Sequence, residues 1–467
     1  MKNFLTVNDI EAAIKNGQQV ICLGPDDVVT SAAHDYAQQK GVSFQVLEQG
    51  SLDSGGQAPG QSSSSAAVRF PVANSGIRRA AGGILSEEDI LKWRKEFPIL
   101  QDVVHVANCS QSAQSHRVRN AVNRYLDNWL TVGMDWDYWM EEMNRGKREF
   151  AKLINAEPEE IAISSSVSDA VSSIASGLDY SGARNKVVTT EIEFPTVGHV
   201  WLAHQKYGYD LQFIPVQGEE IPLEAYERYV DERTIITSIT QVYYRNGFKQ
   251  DIDAILDICH RKGSLVLIDA YQGLGTHPVD VKKQKIDIIT SGCCKYLFGT
   301  PGMAFTYVNK DLIPYLEPAH TGWWGQENPF SFEVRKLNYA SDARRFDTGT
   351  PNVLVCFAVT AGLSIANEIT VPAIGERIDY LSQVAINKAD QLGLKCVSPR
   401  DIRKKGGTTA IEINMNSHEM EVELKKRNII ASARGSVIRV APHFYTLPHE
   451  VEFAMEQIRS ILDQNRL

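Results

Sequence analysis

One lysine and one aspartate have the surroundings that a shared chemical task requires. Lys295 lies in Ser291-Gly-Cys-Cys-Lys-Tyr-Leu-Phe-Gly-Thr-Pro-Gly302, after an apolar segment and before a glycine-rich loop. Asp269 stands at the C-terminal end of the apolar run Leu265-Val-Leu-Ile. A lysine amine can form a Schiff base with the aldehyde of pyridoxal 5'-phosphate (PLP), while a carboxylate keeps the pyridine nitrogen protonated. The pair predicts a PLP enzyme, although each residue alone would fit a surface lysine or an acid at a strand end.

A phosphate-binding turn is the third part of such a site. Ile163-Ser-Ser-Ser-Val-Ser-Asp-Ala-Val171 reads as a strand end, a hydroxyl-rich turn and the first turn of a helix. Backbone N–H groups at a helix N-terminus, together with serine hydroxyls, bind phosphate well. Taken alone, the segment would also fit a capped helix after a serine-rich loop.

The elements that must position these residues alternate between strands and helices. The alternation predicts an α/β domain with a mainly parallel sheet. Strands are predicted at Glu160–Ser164, Lys186–Thr190, Leu211–Ile214, Thr234–Thr240, Leu265–Ile268, Ile286–Thr290 and Met303–Val308. Helices predicted between them include Asp169–Gly177, Val197–Gln205 and Asp253–Lys262.

The pattern changes after Asp347. Helices are predicted at about Val353–Asn367 and Glu376–Leu392, with strands near Thr409–Ile413 and Val437–Val440. This part of the chain predicts a smaller α+β domain. Four parts are therefore expected: a head at residues 1–50, a linker at 51–88, a large PLP-binding domain with an N-terminal arm at 89–352, and a small C-terminal domain at 353–467.

The head and the linker differ from the body in composition. The linker is rich in Gly, Ser, Ala and Pro up to about residue 85, a composition typical of a flexible tether. In the head, Val7–Ile14 with an Asn8 cap and Val28–Lys40 with Gly41 after it are predicted as helices, and Gln19–Leu23 as a strand. So short a unit buries little apolar surface by itself, and we expect it to dock on the body or on a partner.

Composition excludes several other classes of protein. A net charge of −9 argues against generic binding of nucleic acid, which requires a basic face. No uncharged apolar run approaches the roughly 18 residues of a membrane span, and the N-terminus lacks the apolar core of a signal peptide. Seven cysteines, an odd number and scattered, fit reduced thiols in a cytoplasm, and no His/Cys cluster has the spacing of a zinc site, so no metal is expected.

The order of these segments resembles the class V aminotransferase family of fold-type I PLP enzymes, which includes cysteine desulfurases, kynureninases and isopenicillin-N-epimerase-like proteins. The resemblance covers roughly residues 90–467. It implies an α/β PLP-dependent transferase fold with a mainly parallel, seven-stranded large-domain sheet. By this resemblance, Val167 and Ser168 contact the phosphate of the cofactor.

Several ring-contacting residues follow from the same resemblance. Phe-Pro-Thr in Glu191-Ile-Glu-Phe-Pro-Thr196 looks like the kynureninase motif whose phenylalanine stacks on the pyridine ring, so Phe194 takes that role unless it is a core residue. Kynureninases follow with an aspartate, whereas this chain has Val197. Asp269 and Gln272 match Asp-x-x-Gln, in which the acid pairs with the pyridine nitrogen and the glutamine with the 3-oxygen. Cys294 replaces the neighbour of the lysine that contacts the phosphate or the ring.

The substrate side of the site is also implied by resemblance. In Gln241-Val-Tyr-Tyr-Arg-Asn-Gly247, Tyr243 and Arg245 are expected to approach the 3-hydroxyl or the substrate, with ordinary loop packing as the alternative. In Arg434-Gly-Ser-Val-Ile-Arg-Val-Ala-Pro-His-Phe-Tyr445, Arg439 would clamp the substrate carboxylate with two parallel hydrogen bonds, unless it is a surface residue on a strand. His443 is expected to be structural.

A homodimer with shared active sites is implied by Arg345-Phe-Asp-Thr-Gly-Thr-Pro-Asn352, which resembles Arg-Phe-Glu-x-Gly-Thr-Pro. In relatives its threonine, here Thr350, reaches the phosphate bound by the neighbouring subunit. Trp323 and Trp324 could line that cleft or pack in the interface.

The resemblance limits the number of possible reactions but does not identify a single one. Desulfurases carry a nucleophilic cysteine just before the carboxylate-binding arginine, and Lys425-Lys-Arg-Asn-Ile-Ile-Ala-Ser-Ala-Arg-Gly435 has none. Cys396, in a predicted strand, is poorly placed to replace it. We therefore expect an aminotransferase that acts on an amino acid, with a carbon–sulfur or carbon–carbon lyase as the alternative.

The head raises a hypothesis of another kind. Residues 20–41 resemble short N-terminal segments of some bacterial microcompartment-associated enzymes, which implies docking to a shell or scaffold. An accessory arm of the dimer is the alternative. A catalytically silent PLP-fold protein is a third possibility, and the complete set Lys295, Asp269 and Arg439 argues against it.

Overall fold

The computed structural model describes residues 3–5, 10, 13–23, 27–29, 36–37, 40–46 and 85–465. The chain divides into two compact units, Met1–Arg69 and Phe70–Leu467. Most of the predicted linker lies outside the described residues. Its predicted end at residue 88 overlaps helix Glu87–Arg94, which Ser86 caps through a reciprocal contact with Asp89.

The first unit contains two pairs of parallel strands. Asn3–Leu5 pairs with Asp27–Val29, and Val20–Leu23 pairs with Ser43–Val46. The predicted strand at Gln19–Leu23 is therefore present. The predicted helix Val28–Lys40 is wrong at its start, because the chain there is extended and β-paired, as suits consecutive valines. Among the described residues of this unit, Ile10, Ala13, Ala37 and Val42 are apolar and buried.

A seven-stranded sheet forms the centre of the second unit. We number its strands β1 to β7 in chain order, and they lie in the order β1-β7-β6-β5-β4-β2-β3. Only β7 runs antiparallel to its neighbours β6 and β1. The bounds are β1 Ile161–Ser164, β2 Lys186–Thr190, β3 Asp210–Ile214, β4 Thr234–Thr240, β5 Leu265–Asp269, β6 Ile288–Gly292 and β7 Ala304–Val308. The predicted seven-stranded, mainly parallel sheet is confirmed.

Helices cover both faces of this sheet, as a parallel sheet requires. Those of the large domain are His116–Thr131, Trp136–Ile154, Val167–Ser176, Pro195–His204, Leu223–Tyr229 and Ile252–Arg261. The main core joins the sheet to helix Trp136–Ile154 and to the buried helix Val353–Ile369. The sequence pattern assigns Val353–Ile369 to the small C-terminal domain, predicted at 353–467. In the structure this helix packs in the core of the large domain.

The C-terminal part forms a second, smaller core. Helices Val371–Gln391, Ser417–Lys426 and Pro448–Gln464 pack on a three-stranded antiparallel sheet, whose strands are β8 Thr409–Glu412, β9 Ser432–Arg434 and β10 Val437–Val440. Residues 104–105 of the N-terminal segment pair with Ile429–Ile430 and join this core. The predicted α+β character is confirmed.

Candidate active site

A cavity of about 240 Å³ lies where the carboxyl ends of β4 and β5 meet the loop after β6. Carboxyl ends of parallel strands are the usual place for a ligand in such folds. The cavity is lined by Ser166, Val167, Ser168, Phe194, Thr196, Thr240, Tyr244, Asp269, Tyr271, Gln272 and Lys295. A larger groove of about 720 Å³ runs past Gln241 and residues 401–404, but neither Lys295 nor Asp269 lines it. The smaller cavity is therefore the candidate active site, because Lys295 and Asp269 both line it.

Lys295 presents its amine to this cavity between aromatic rings. Its Nζ lies 4.1 Å from the centre of the Tyr271 ring and 5.8 Å from that of Phe194. Burial lowers the pKa of Lys295 to about 8, and the carboxylate of Asp269 opposes that shift. With such a pKa, about a tenth of the amine is neutral at pH 7, far more than for an ordinary lysine, and the neutral form is the one that attacks a carbonyl.

Asp269 ends strand β5 and is buried. Burial raises the pKa of this carboxyl, while the Tyr271 backbone N–H, which donates to Oδ1 at 2.9 Å, and the Lys295 amine pull it down. A buried carboxylate of this kind is stabilised by a cationic partner such as a protonated pyridine nitrogen. The structure thus brings the predicted lysine and aspartate to one cavity.

The predicted phosphate turn lies at the same cavity. Helix Val167–Ser176 starts there, and the Ser166 side chain caps it by accepting from the Asp169 N–H. Ser168 and Thr196 share a hydroxyl hydrogen bond of 2.7 Å, so the two strand-end motifs meet. The helix N-terminus and these hydroxyls can hold a phosphate.

Gln272 and Cys294, predicted to contact the cofactor, make hydrogen bonds within the protein. Gln272 Nε2 donates to the Cys109 carbonyl at 2.9 Å, so the amide directs its donor away from the cavity, and Oε1 is buried without a partner in the described residues. Cys294 does not line the cavity. Its Sγ lies 3.2 Å from the hydroxyl of Tyr271, which does line the cavity.

Arg439, on β10, is buried and its recorded partners are all neutral. Nη1 donates to the Tyr244 carbonyl at 2.7 Å, Nη2 to the hydroxyls of Ser110 at 2.9 Å and Ser432 at 2.7 Å, and Nε to the Ser432 carbonyl at 3.3 Å. A buried guanidinium is normally paired with an acid. In the described part of the chain this one has no carboxylate in contact, which suits it to an anionic ligand.

The predicted pair Tyr243 and Arg245 does not reach the cavity, and the residue between them does. Arg245 forms an ion pair with Glu219, and Tyr243 is absent from the cavity lining. Tyr244 lines the cavity, and its ring meets Phe194 edge-on at 5.2 Å. Of the three residues, Tyr244 is therefore the one that faces the cavity.

The remaining predicted residues lie outside the cavity. Thr350 is exposed on the surface of the single chain. Asp347 anchors its loop by accepting the Ile163 N–H at 2.7 Å. Trp323 and Trp324 join an aromatic cluster with Phe330.

His443 is buried, and its ring accepts the Phe444 N–H, a contact that suits a structural role. The aromatic rings around it are Tyr296, Phe298, Phe444 and Tyr445.

Sequence reasoning missed Glu193, a buried acid beside the cavity that is bonded to the cavity residue Thr240. Its Oε1 accepts from the Thr190 hydroxyl and the Thr240 N–H, both at 2.7 Å, and Oε2 has no partner in the described residues. Burial raises the pKa of Glu193 well above its usual range, and nearby Asp269 adds to the shift. The signal was available, because Glu193 directly precedes Phe194 at a strand end.

Two further classes of site can be assessed in the described residues. Within them, no group of three or more His, Cys, Asp or Glu residues could hold a metal ion. No single described helix is long and apolar enough to cross a membrane. Helices Val353–Ile369 and Val371–Gln391 meet that criterion only as a pair bent by 80°.

Comparison with known proteins places the chain among PLP enzymes. Residues 111–452 match the family described as aminotransferase class-V. Uncharacterized aminotransferase YcbU from Bacillus subtilis is 40% identical over 367 residues, which cover 79% of this chain and 96% of that protein. A kynureninase from Geobacillus thermodenitrificans is 24% identical, over 82% of this chain and 94% of its own.

Solved structures show the same fold. A cysteine desulfurase from Thermococcus onnurineus superposes with a TM-score of 0.73 at 21% identity, covering 82% of this chain and 99% of the other. A C-DES mutant with glycine covalently linked to the PLP cofactor superposes with a TM-score of 0.72 at 17% identity, covering 78% and 98%.

Proposed function

The chain belongs to the class V aminotransferase family and is a PLP-dependent enzyme, and from this we propose that it is an aminotransferase that acts on an amino acid. The observation that carries the proposal is that Lys295 and Asp269 line one cavity. The buried guanidinium of Arg439, which has no carboxylate partner among the described residues, donates to the carbonyl of Tyr244 in the lining of the same cavity. These are an amine, an acid and a carboxylate clamp, which an amino-acid enzyme with this cofactor needs.

The residues at the cavity fit PLP. Lys295 would hold its aldehyde carbon, Asp269 its ring nitrogen, and the N-terminus of helix Val167–Ser176, with Ser168, its phosphate. Phe194 is 42% exposed in the single chain, which leaves its ring free to contact a flat ligand. We propose that Gln272 meets the 3-oxygen, either through its unpaired Oε1 or after rotation of the amide.

When bound, PLP supplies an electron-accepting ring that stabilises a carbanion at the substrate Cα. Arg439 binds and orients the substrate carboxylate, which replaces hydroxyl partners such as Ser110 Oγ. Asp269 would keep a proton on the ring nitrogen. The amine of Lys295, whose pKa is about 8, would take the proton from the substrate Cα and hold it for the next step.

A carbon–sulfur or carbon–carbon lyase is the second candidate, because the same machinery serves elimination. Kynureninases are among the relatives, but Val197 stands where kynureninases have an aspartate, and it is fully buried. A desulfurase that works through a persulfide is disfavoured. Ser432, whose hydroxyl accepts a hydrogen bond from Arg439, lies in the stretch 425–435, where desulfurases have their cysteine. A serine hydroxyl cannot form a persulfide.

We also propose a homodimer whose subunits share active sites, with Thr350 reaching the phosphate bound by the partner subunit. Large apolar side chains are exposed on two segments, among them Leu130 at 84%, Met134 at 77% and Phe332 at 74%. Trp136 and Trp324, whose rings are 6.1 Å apart, connect these segments. Apolar surface of this extent marks an interface.

We further propose that residues 1–50 dock to a shell or scaffold. We also propose that the enzyme acts in the cytoplasm. Deletion of residues 1–85 separates docking from an accessory arm. Full activity with lost co-assembly supports docking, whereas loss of the dimer or of activity supports an arm.

The function is tested with purified protein. The wild type should show the visible absorbance of a lysine-bound cofactor, and Lys295→Ala should lose it while keeping its fold by circular dichroism. Amino acids are then screened for a spectral shift while keto acid, sulfide and pyruvate release are assayed. Keto acid formation that requires an added amino acceptor supports transamination; sulfide or pyruvate without an acceptor supports the lyase. A wild-type protein that gains no colour with PLP contradicts both.

A further inference from the structure

Glu193 is a buried acid that the steps above do not use, and its carboxyl group bridges two strand ends. Oε1 accepts the Thr190 hydroxyl, at the end of β2, and the Thr240 N–H, at the end of β4, both at 2.7 Å. The pairing of β2 with β4 stops earlier, at Val188 and Thr237. The carboxyl group therefore joins the two strands where their backbones no longer pair.

Each side of this bridge leads to a residue of the cofactor site. Phe194 directly follows Glu193 and is the N-cap of helix Pro195–His204, so the backbone that carries the carboxyl group also carries the ring. Thr240 lies opposite Asp269 in the register of β4 and β5. One side chain therefore connects the residue expected to stack on the cofactor with the strand position beside the residue expected to meet its ring nitrogen.

The surroundings of Glu193 favour the neutral acid. The titratable groups that face it are Asp269 on β5 and Tyr226 on helix Leu223–Tyr229, and among the described residues no cationic side chain acts on it. Its Oε2 is buried without a hydrogen-bond partner in the same part of the chain. Burying an unpaired charge costs far more than burying a hydroxyl, and this burial and Asp269 raise the pKa of Glu193. The negative charge therefore belongs on Asp269, which the Lys295 amine stabilises.

We propose that Glu193 is a positioning residue for the cofactor: as a neutral acid, it holds the Phe194 ring in a fixed position relative to Asp269 and adds no second negative charge beside the ring nitrogen. The inference rests on the proposed function for the roles of Phe194 and Asp269. Glu193 itself does not line the cavity, so it acts through these two residues.

Three substitutions separate the reach of the side chain from its charge. Glu193→Gln keeps an acceptor oxygen at the same reach and should bind PLP within about twofold of the wild type. Glu193→Ala leaves the buried Thr240 N–H without its acceptor and should weaken PLP binding about fivefold or more. Glu193→Asp is one methylene shorter and should resemble Glu193→Ala. The dissociation constant is measured on the full-length protein by fluorescence titration with PLP.

Glu191→Ala is the matched control for these variants. Glu191 is an exposed acid two residues away that also accepts a backbone N–H, that of Val216, at 2.9 Å. It has no contact with Thr190 or Thr240 in the described residues. Its replacement should leave PLP binding within about twofold of the wild type.

Two further measurements test whether the acid is neutral. The absorbance of the lysine-bound cofactor is titrated with pH, and its midpoint should be the same in Glu193→Gln and in the wild type. An ionised Glu193 would give Glu193→Gln a lower midpoint, because the variant loses a negative charge that favours the protonated cofactor. In denaturant titrations, the raised pKa of Glu193 makes the wild type lose stability as pH rises above about 4.3, the ordinary glutamate value, and Glu193→Gln should lose less.

An unchanged PLP affinity in Glu193→Ala overturns the inference, and so does a lower titration midpoint in Glu193→Gln. An equal loss of affinity in Glu193→Gln and Glu193→Ala also overturns it, because the glutamine keeps the acceptor. Where Glu193→Ala does not fold, the comparison of Glu193→Asp with Glu193→Gln decides. Lys295→Ala keeps this result separate from the proposed function. Should Lys295→Ala lose the lysine-bound spectrum while every Glu193 variant matches the wild type, the function stands and only the role of Glu193 fails.

Discussion

Replacing Arg439 by lysine tests the carboxylate clamp directly. The guanidinium has five N–H groups, and its four recorded hydrogen bonds go to a carbonyl of Tyr244, a carbonyl and a hydroxyl of Ser432, and the hydroxyl of Ser110. A carboxylate can displace the hydroxyls and take two parallel hydrogen bonds, one from each Nη. Lysine keeps the charge but offers a single point of contact.

The expected loss follows from the second charge-assisted hydrogen bond, which is worth about 1.5–3 kcal/mol. Amino-acid binding should therefore weaken roughly 10- to 150-fold in Arg439→Lys. The assay is a spectral titration with the amino acid that shifts the wild-type cofactor spectrum most. Cofactor affinity, measured in parallel, should stay within about twofold, because Arg439 does not line the cofactor cavity.

The decarboxylated amine of the same amino acid is the matched control ligand. It has no carboxylate to lose, so wild type and Arg439→Lys should bind it equally. Equal weakening of both ligands would show that the substitution disturbs the cavity rather than a carboxylate contact. Unchanged binding of the amino acid would refute the clamp altogether.

Asp269→Asn should lower turnover roughly 10²- to 5 × 10³-fold, because losing one partner of a buried charge pair costs about 3–5 kcal/mol; initial rates at saturating amino acid measure it, and a loss under threefold contradicts the assignment. Burial raises the pKa of Asp347 to about 6, so the folded chain binds this proton more tightly than the unfolded chain does. The free energy of unfolding should therefore fall as pH rises from about 4 to about 6, and Asp347→Asn should flatten that slope in denaturant titrations. Thr350→Ala should weaken cofactor binding roughly tenfold. Mixed with Lys295→Ala, it should form heterodimers with one intact site and recover activity, and no recovery would exclude shared sites.

The sheet was predictable because its strands are buried on both faces. Such strands are short apolar runs between polar turns, and all seven observed strands begin and end within two residues of their predicted bounds. The head was less predictable. There the predicted helix Val28–Lys40 begins in a strand that pairs with Asn3–Leu5, a contact between distant segments that local pattern cannot show.

Residues at strand ends were predicted better than residues in turns. Lys295, Asp269 and Ser168 lie at the cavity because each stands at the end of a strand or soon after it, and the sheet fixes the direction of those strands. In the turn after β4, tertiary contacts decide which side chain faces the cavity. Arg245 turns toward Glu219, an acid far back in the sequence, and this leaves Tyr244 to face the cavity. No periodicity in Gln241–Gly247 carries that information.

Tyr244 then connects the two halves of the site. Its carbonyl accepts from Arg439 Nη1 at 2.7 Å, and its ring packs edge-on against Phe194 at 5.2 Å. A substrate carboxylate that attracts the Arg439 guanidinium would strain its hydrogen bond to the Tyr244 backbone. Movement of that backbone would shift the Tyr244 ring, which contacts Phe194, the residue expected to stack on the cofactor. The substrate contact and the cofactor contact therefore share one residue, so the spectral change that an amino acid causes on binding should differ between Arg439→Lys and the wild type.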